Sequence, residues 1–264
     1  MLKMNQTKPF YSDTIEQALT DCQEAGYQTI YMPELIQRRI KTRKETKLWR
    51  DWQTSLSLRA IGRSKQGNPV VLYAHIPHYF CEPKNIITAK ETGLINGAGL
   101  LPQAEFERLL AFEGKGVYVL DYETEKKSSS GVINLDSALQ HPVTIPFLGV
   151  SEIEAQKYLQ KHRQVYGDKI GIWHCDDLGD QPRGRLLFLG NGYNNSLNGS
   201  TSLSNGRFLG VRASGSELRV APAGRSAKKI APHSLEEVLD SLKDLIAPAL
   251  LPRAEQRLRR FYKH

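Results

Sequence analysis

Two histidine clusters and one long polar tract are the places where this sequence could do chemistry. His75-Ile-Pro-His78 sets two imidazoles three residues apart, a spacing that could offer two nitrogens to a metal. Pro77, however, breaks the helix on which a His-Glu-x-x-His zinc motif presents its ligands, and no Glu follows His75. The pair reads as structural or surface histidine, and no metal site is assigned. His174-Cys175-Asp176-Asp177 is denser and holds the parts of a thiolate nucleophile with a base. Neighbours along a strand point to opposite faces, so His174 and Cys175 are not expected to meet, and no catalytic residue is assigned.

The tract from Gly190 to Gly206 uses only Gly, Asn, Ser, Thr, Tyr and Leu, yet it lies between two apolar runs, Leu186 to Leu189 and Phe208 to Val211. Asn and Ser hydrogen-bond their own backbone, Gly reaches positive φ, and Tyr gives a large amphipathic contact at little entropic cost. That is the composition of an antibody-like binding surface. It is also the composition of a surface loop that binds nothing. Its frame decides between them: Asp168 to Leu178 and Arg183 to Gly190 before it, and Gly206 to Arg212 after it, contain strand-length runs rich in branched and aromatic residues. A loop held on such a scaffold is where binding function concentrates. Gly190-Asn-Gly-Tyr-Asn-Asn departs from Gly-x-Gly-x-x-Gly at its sixth residue and leads into no helical pattern, so nucleotide binding has no support.

The frame Arg185 to Gly190, the polar segment, and the closing Gly206-Arg-Phe-Leu-Gly-Val-Arg212 resemble the C-terminal part of C-type-lectin-fold proteins of the formylglycine-generating-enzyme type. In particular they resemble the variable proteins of diversity-generating retroelements, over roughly Ile170 to Arg212. The closing motif is a variant, with Gly-Arg-Phe in place of Gly-Phe-Arg. The resemblance implies that a template-directed reverse transcriptase replaces adenines in codons of the AAC or AAT kind. Asn, Ser, Thr, Tyr and Gly follow from such codons by changing adenines alone, and Leu by changing both. Between Asn191 and Asn205 there is no Lys, Glu, Gln, Met or Trp, none of which a pyrimidine-ending codon can encode. Formylglycine-generating activity needs a C-terminal pair of cysteines, and no Cys follows Cys175. Calcium-dependent sugar binding needs carboxylates, and the tract has none. No cofactor is expected.

The resemblance thus points to a non-enzymatic protein that recognises a macromolecular ligand, expected to be a protein, through its variable segment 190–206. The expected contact residues are Asn191, Tyr193, Asn194, Asn195, Ser196, Asn198, Ser200, Thr201, Ser202, Ser204 and Asn205. Tyr193 would be the anchor, while the Asn amides and the Ser and Thr hydroxyls give adaptable hydrogen bonds. Leu197 and Leu203 are expected to hold the segment to the scaffold, with Trp173 and Phe208 buried beneath it.

At 264 residues with 40% hydrophobic content the chain can build a substantial core. No run is long enough for a membrane span, and Met-Leu-Lys-Met-Asn-Gln-Thr-Lys lacks the apolar region of a secretory signal. The sequons at Asn194 and Asn198 therefore read as accidents of an Asn/Ser-rich tract. Cys22, Cys81 and Cys175 make no disulfide framework, which fits a reducing compartment, cytoplasmic or virion-associated. The net charge of +8 gathers in Arg38 to Arg50, Arg219 to Lys229 and Arg253 to Lys263. A second reading follows from it: a nucleic-acid-associated protein using Arg253, Arg257, Arg259, Arg260 and Lys263.

The elements that must position the tract can be read in outline. Asp13, with Glu16 three residues on, caps a helix whose Ile15, Ala18, Leu19, Cys22 and Ala25 form one stripe ending at Gly26. Pro33 opens a second helix through Ile40, with Arg38 and Arg39 exposed. Leu56 to Ile61 and Pro69 to Ile76 read as a hairpin. Pro83 to Thr92 and Pro102 to Phe112 read as helices, Val117 to Tyr122 as a strand, and the residues through Ser128-Ser-Ser-Gly131 as a polar loop. Ser151 with Glu154 boxes the start of a helix that stops at Gly167. Strands around the tract follow, then a linker at Ala221 to Ser226 and a Ser234-capped helix. The whole predicts an α+β protein: a C-type-lectin-like domain over 1–220 with a small antiparallel sheet and flanking helices, and a basic C-terminal helical tail over 221–264.

Overall fold

The computed structural model describes residues 6–175, 178–190, 196–204 and 206–212. The linker and helical tail expected over 221–264 lie outside them. In chain order the described elements are β1 (Gln6–Ser12), α1 (Ile15–Glu24), β2 (Gln28–Thr29), α2 (Met32–Lys41), α3 (Lys47–Arg50), β3 (Gln53–Arg63) and β4 (Pro69–Ala74). A 3-10 turn (Tyr79–Cys81), α4 (Pro83–Thr92), β5 (Gly99–Leu100), α5 (Gln103–Leu110), β6 (Val117–Asp121), α6 (Tyr122–Lys127) and β7 (Gly131–Asn134) follow. The remainder is α7 (Leu135–Ala138), α8 (Thr144–Leu148), α9 (Glu152–Tyr166), β8 (Lys169–Trp173), β9 (Arg183–Leu189), β10 (Ser196–Asn198) and β11 (Gly206–Arg212).

The sheet is α+β in context but larger than the sequence led us to expect. Its path runs β1-β11-β3-β9-β10-β8-β7, with β2 on β11, β4 on β3, β6 on β4 and β5 on β9. Most pairings are antiparallel, while β10 runs parallel to β8 and β11 parallel to β3. β3 organises the rest, because it pairs with β11, β4 and β9 and is buried from Gln53 to Gly62. A strand covered on both faces cannot alternate apolar with polar residues. One face packs Leu187, Leu189 and Leu197 with Trp49, Phe147 and Tyr158. The other packs Leu58, Leu186 and Phe208 with Leu19, Phe80 and Phe106.

The two buried serines of β3 are satisfied across the sheet. Ser55 Oγ donates to the Leu187 carbonyl at 3.2 Å, and Ser57 Oγ accepts the Met32 N–H at 2.7 Å. The Pro146 carbonyl can only accept, so His75 Nε2–H donates to it at 2.9 Å, and the Nδ1 of the neutral ring accepts from the Ser57 hydroxyl at 2.7 Å. His78 Nε2 likewise meets the Leu56 carbonyl at 2.6 Å while its Nδ1 accepts the Phe80 N–H. Each ring is thereby fixed as the neutral Nε2–H tautomer. His75 and His78 are internal connectors.

Several elements differ from the sequence reading. α1 begins after Thr14 with no side-chain cap, so Asp13 is not its cap. Arg39 is 1% exposed rather than on the surface, because its guanidinium bonds the Leu48 and Asp51 carbonyls. The segment after Val117–Asp121 forms α6, capped by Asp121 Oδ2 accepting the Thr124 N–H, where a loop was expected. β1 was not anticipated, and it pairs with β11 over its full length. The helices at Pro83, Gln103 and Ser151, the β3–β4 hairpin and the capping box at Ser151 and Glu154 match.

Burial pushes both His75 and His78 down to a pKa of about 4, from an ordinary 6.5. The folded state therefore resists protonation that the unfolded chain accepts. Their contribution to stability should be full above pH 6.5 or so and be lost as the pH falls toward 4, by up to about 3 kcal/mol per ring. Urea titrations across that range should show this decline, and His75→Gln and His78→Gln should each flatten it. A stability that stays level on acidification would contradict the neutral, buried assignment.

Candidate functional site

The tract is laid onto the sheet by its own apolar residues. Leu197 and Leu203 are 0% exposed, one in each core. Both anchor as the sequence implied. Leu197 is the middle residue of β10, which folds back on β9 (Leu197↔Leu189, Asn198↔Phe188) and runs alongside β8 (Leu197↔Ile172). The Gly190 N–H donates to the Ser196 carbonyl at 2.8 Å. Asn191, Tyr193, Asn194, Asn195 and Asn205 lie outside the described residues.

What holds the described part is main chain. The Gly199 N–H donates to the Trp173 carbonyl (2.8 Å), the Leu203 N–H to the Gly97 carbonyl (3.0 Å), and the Ile15 N–H to the Ser204 carbonyl (2.6 Å). The last bond takes up an orphan N–H in the first turn of α1, which no side chain caps. Arg185, fully buried in β9, sends Nη1 to the Ser200 and Thr201 carbonyls and Nη2 to the Asn96 carbonyl. Arg59, also buried, pairs with the buried carboxylate of Glu125 and donates to the Cys175 carbonyl at 2.8 Å. The turn at 95–98 lies so close that a Cβ on Gly97, whose φ is +84°, would stand 2.7 Å from the Ser202 Cα. Only glycine fits there.

The side chains stand otherwise. Ser204 is exposed, and Asn198, Ser200, Thr201 and Ser202 are half-buried at the surface. Asn198 Oδ1 accepts from the Ser200 N–H (2.9 Å) and hydroxyl (3.0 Å), so it shapes the turn. Ser196 departs from expectation: it is 4% exposed, because it pairs with Gly171 in the interior of the sheet. Trp173 departs in the other sense, half-exposed at the end of β8, whereas Phe208 is buried as expected. Sequence reasoning missed Arg185, Arg59 and Gly97. The signal for the first was present in Arg183-Gly-Arg185, a charge inside an apolar run with no carboxylate beside it.

His174 and Cys175 fall beyond the end of β8, so strand alternation does not separate them, contrary to the sequence argument. Both line a cavity of about 320 Å³ with Tyr122, Glu125, Ser128 and Ser130. Its polar groups serve one another. Ser128 Oγ donates to the Glu125 carbonyl at 2.6 Å, which leaves only a lone pair for His174 Nε2 at 3.2 Å. A hydroxyl committed in this way is not activated as a nucleophile. Burial lowers the His174 pKa, and burial followed by Glu125 raises that of Tyr73. Among the described residues no three His, Cys, Asp or Glu side chains gather to hold a metal ion. Among them, too, no helix is long and apolar enough to cross a membrane, and the three cysteines are free thiols. The basic residues Arg253, Arg257, Arg259, Arg260 and Lys263 lie outside the described residues.

No family model matches the chain, and no curated protein does. A solved structure, from work on the accommodation of massive sequence variation in Nanoarchaeota by the C-type lectin fold, is 49% identical to it with a TM-score of 0.75. The match covers 80% of this chain and 100% of that one.

The geometry sets an order of costs. Replacing Ser200, Thr201 and Ser202 together by Ala should change stability by no more than about 1 kcal/mol, since no core contact is lost. Arg185→Met should cost roughly 3 kcal/mol or more, because it strands three carbonyls without a donor. Urea unfolding of the two variants measures both, and the reverse ranking would show that the tract is held by its side chains.

Proposed function

This chain belongs to the C-type-lectin-fold family of sequence-variable proteins, and from that premise we propose that it is a non-enzymatic binding protein whose tract 190–206 recognises a protein ligand. The observation that carries the reading is the division of labour at Ser200 to Ser204: main-chain groups face inward to Arg185, Gly97 and Ile15 and Leu203 anchors in the core, while the side chains of Ser200, Thr201, Ser202 and Ser204 reach the surface. Such an arrangement lets side chains change without disturbing the fold. Tyr193 is the proposed anchor, with Asn191, Asn194, Asn195, Asn198, Ser200, Thr201, Ser202, Ser204 and Asn205 around it. Ser196 serves from below, as part of the sheet.

Small polar groups about one aromatic ring fit many partners, because a few central contacts carry affinity and the rest exclude water. We further propose that a diversity-generating retroelement writes the tract, in a cytoplasmic or virion-associated protein. Support comes from its restriction to residues reachable from AAC or AAT codons.

Two experiments test the parts separately. A displayed library randomised at 194, 195, 200, 201, 202 and 204 should fold in most members and yield binders to unrelated protein targets, each weakened more by Tyr193→Ala than by any single Asn or Ser replacement. Widespread unfolding, or no binder from any target, would sink the binding reading. The gene should carry pyrimidine-ending codons throughout 191–205, with a nearby near-copy that differs mainly at adenines and a reverse-transcriptase gene beside it. Purine-ending codons with no such copy would remove the retroelement.

A further inference from the structure

Outside the tract, the loop from the end of α2 to the start of β3 carries Lys41, Arg43, Lys44, Lys47 and Arg50 against two carboxylates, Glu45 and Asp51, of which Asp51 is taken up by Arg207. All five cations are exposed, and among the described residues none forms an ion pair. Like charges this close repel, and a merely solvated face needs no rigid mount. Here the mount is elaborate. The loop winds around the buried Arg39, whose Nε and Nη2 hold the Leu48 and Asp51 carbonyls. That guanidinium lies 5.1 Å from the ring of Trp49, which stacks on Tyr158 and returns a bond from Nε1 to the Arg39 carbonyl at 2.9 Å.

The loop ends in a ring cluster. Trp52 stacks on Phe188 at 5.1 Å and meets Tyr11 edge-on at 5.8 Å, while the Arg207 guanidinium lies 5.6 Å from Tyr11 and 5.7 Å from Trp52. Arg207 also pairs with Asp51, the residue between Arg50 and Trp52. Tyr11 is 53% exposed and supplies the open π face.

We propose that this basic loop and its aromatic cluster bind single-stranded nucleic acid, the cations meeting successive phosphates and Tyr11 stacking on a base. An electrostatic track beside a ring platform is the general form of such sites. A membrane surface fits less well, because Trp49 is buried, Leu48 packs on the core and the half-exposed Trp52 is taken up by Phe188, Tyr11 and Arg207, which leaves no aliphatic wedge for the headgroups. A duplex would engage the cations and leave Tyr11 idle. The site uses no residue of 191–205, so it stands or falls apart from the variable surface.

The test uses the full chain with a labelled single strand of about 15 nucleotides, its duplex, and anisotropy in about 50 and 200 mM salt. Five phosphate contacts give a log–log salt slope near −3.5, about a 100-fold loss of affinity over that range. K44Q/K47Q/R50Q should weaken single-strand binding at least about 10-fold and flatten the slope. Tyr11→Ala should weaken it about 5-fold or more without affecting the duplex. Both variants should melt as the parent does, and R253Q/R257Q/R259Q/R260Q/K263Q should keep the loop-dependent binding. The proposal is overturned if no single strand binds, if binding survives the loop variant, or if the tail variant alone abolishes it. It is equally overturned if duplex binds as tightly and Tyr11→Ala has no effect, or if poly-glutamate or phosphatidylserine vesicles bind through the loop more tightly than the single strand.

Discussion

One guanidinium holds the polar tract to the sheet. Arg185 sits in the middle of a strand buried on both faces, and its donors end on the carbonyls of Ser200, Thr201 and Asn96. An unpaired charge at that depth would cost several kcal/mol, so the tract cannot leave it without a large penalty. Because the acceptors are carbonyls, the bond is indifferent to which side chains the tract bears. Leu197 and Leu203 then need only be apolar, and the intervening surface residues need only be compatible with the turn.

The same device recurs around the tract. Arg59 braces the Cys175 carbonyl while its charge is met by Glu125, and Arg39 braces those of Leu48 and Asp51. Each places a fixed, planar fork of donors behind a loop that would otherwise present bare carbonyls to the interior. The sheet supplies the depth that makes such bonds strong, since β3 contacts β4, β9 and β11 and separates two apolar clusters.

Much of this was legible in the sequence where the signal was local. The stripe from Ile15 to Cys22, the Ser151–Glu154 box with its Gly167 stop, and the hairpin around Ser64 to Asn68 depend on residues within one or two turns of each other. β1 was not legible because Thr7-Lys-Pro-Phe is short, basic and interrupted by proline, and becomes a strand only on pairing with β11, some 200 residues on in rough terms. α6 could have been found: Asp121 caps it, Glu123 and Glu125 stand in its first turn, and Lys126 and Lys127 in its last. The tract was recognisable by composition, and Leu197 and Leu203 by their apolar character within it. The burial of Ser196 was hidden, because it depends on the long-range pairing with Gly171. Arg39 was hidden for a related reason: its carbonyl partners carry no sequence signal, and for Arg185 only the charge inside an apolar run was visible, not the carbonyls it meets.

The tract is held by its main chain and not by its side chains. Amide hydrogen exchange at Gly199 and Leu203, whose N–H groups donate to Trp173 and Gly97, reads this directly. Across a panel of variants at 200, 201, 202 and 204 the protection of both amides should stay that of the parent, and it should collapse in Arg185→Met. Protection that follows the side chains and ignores Arg185 would contradict the account.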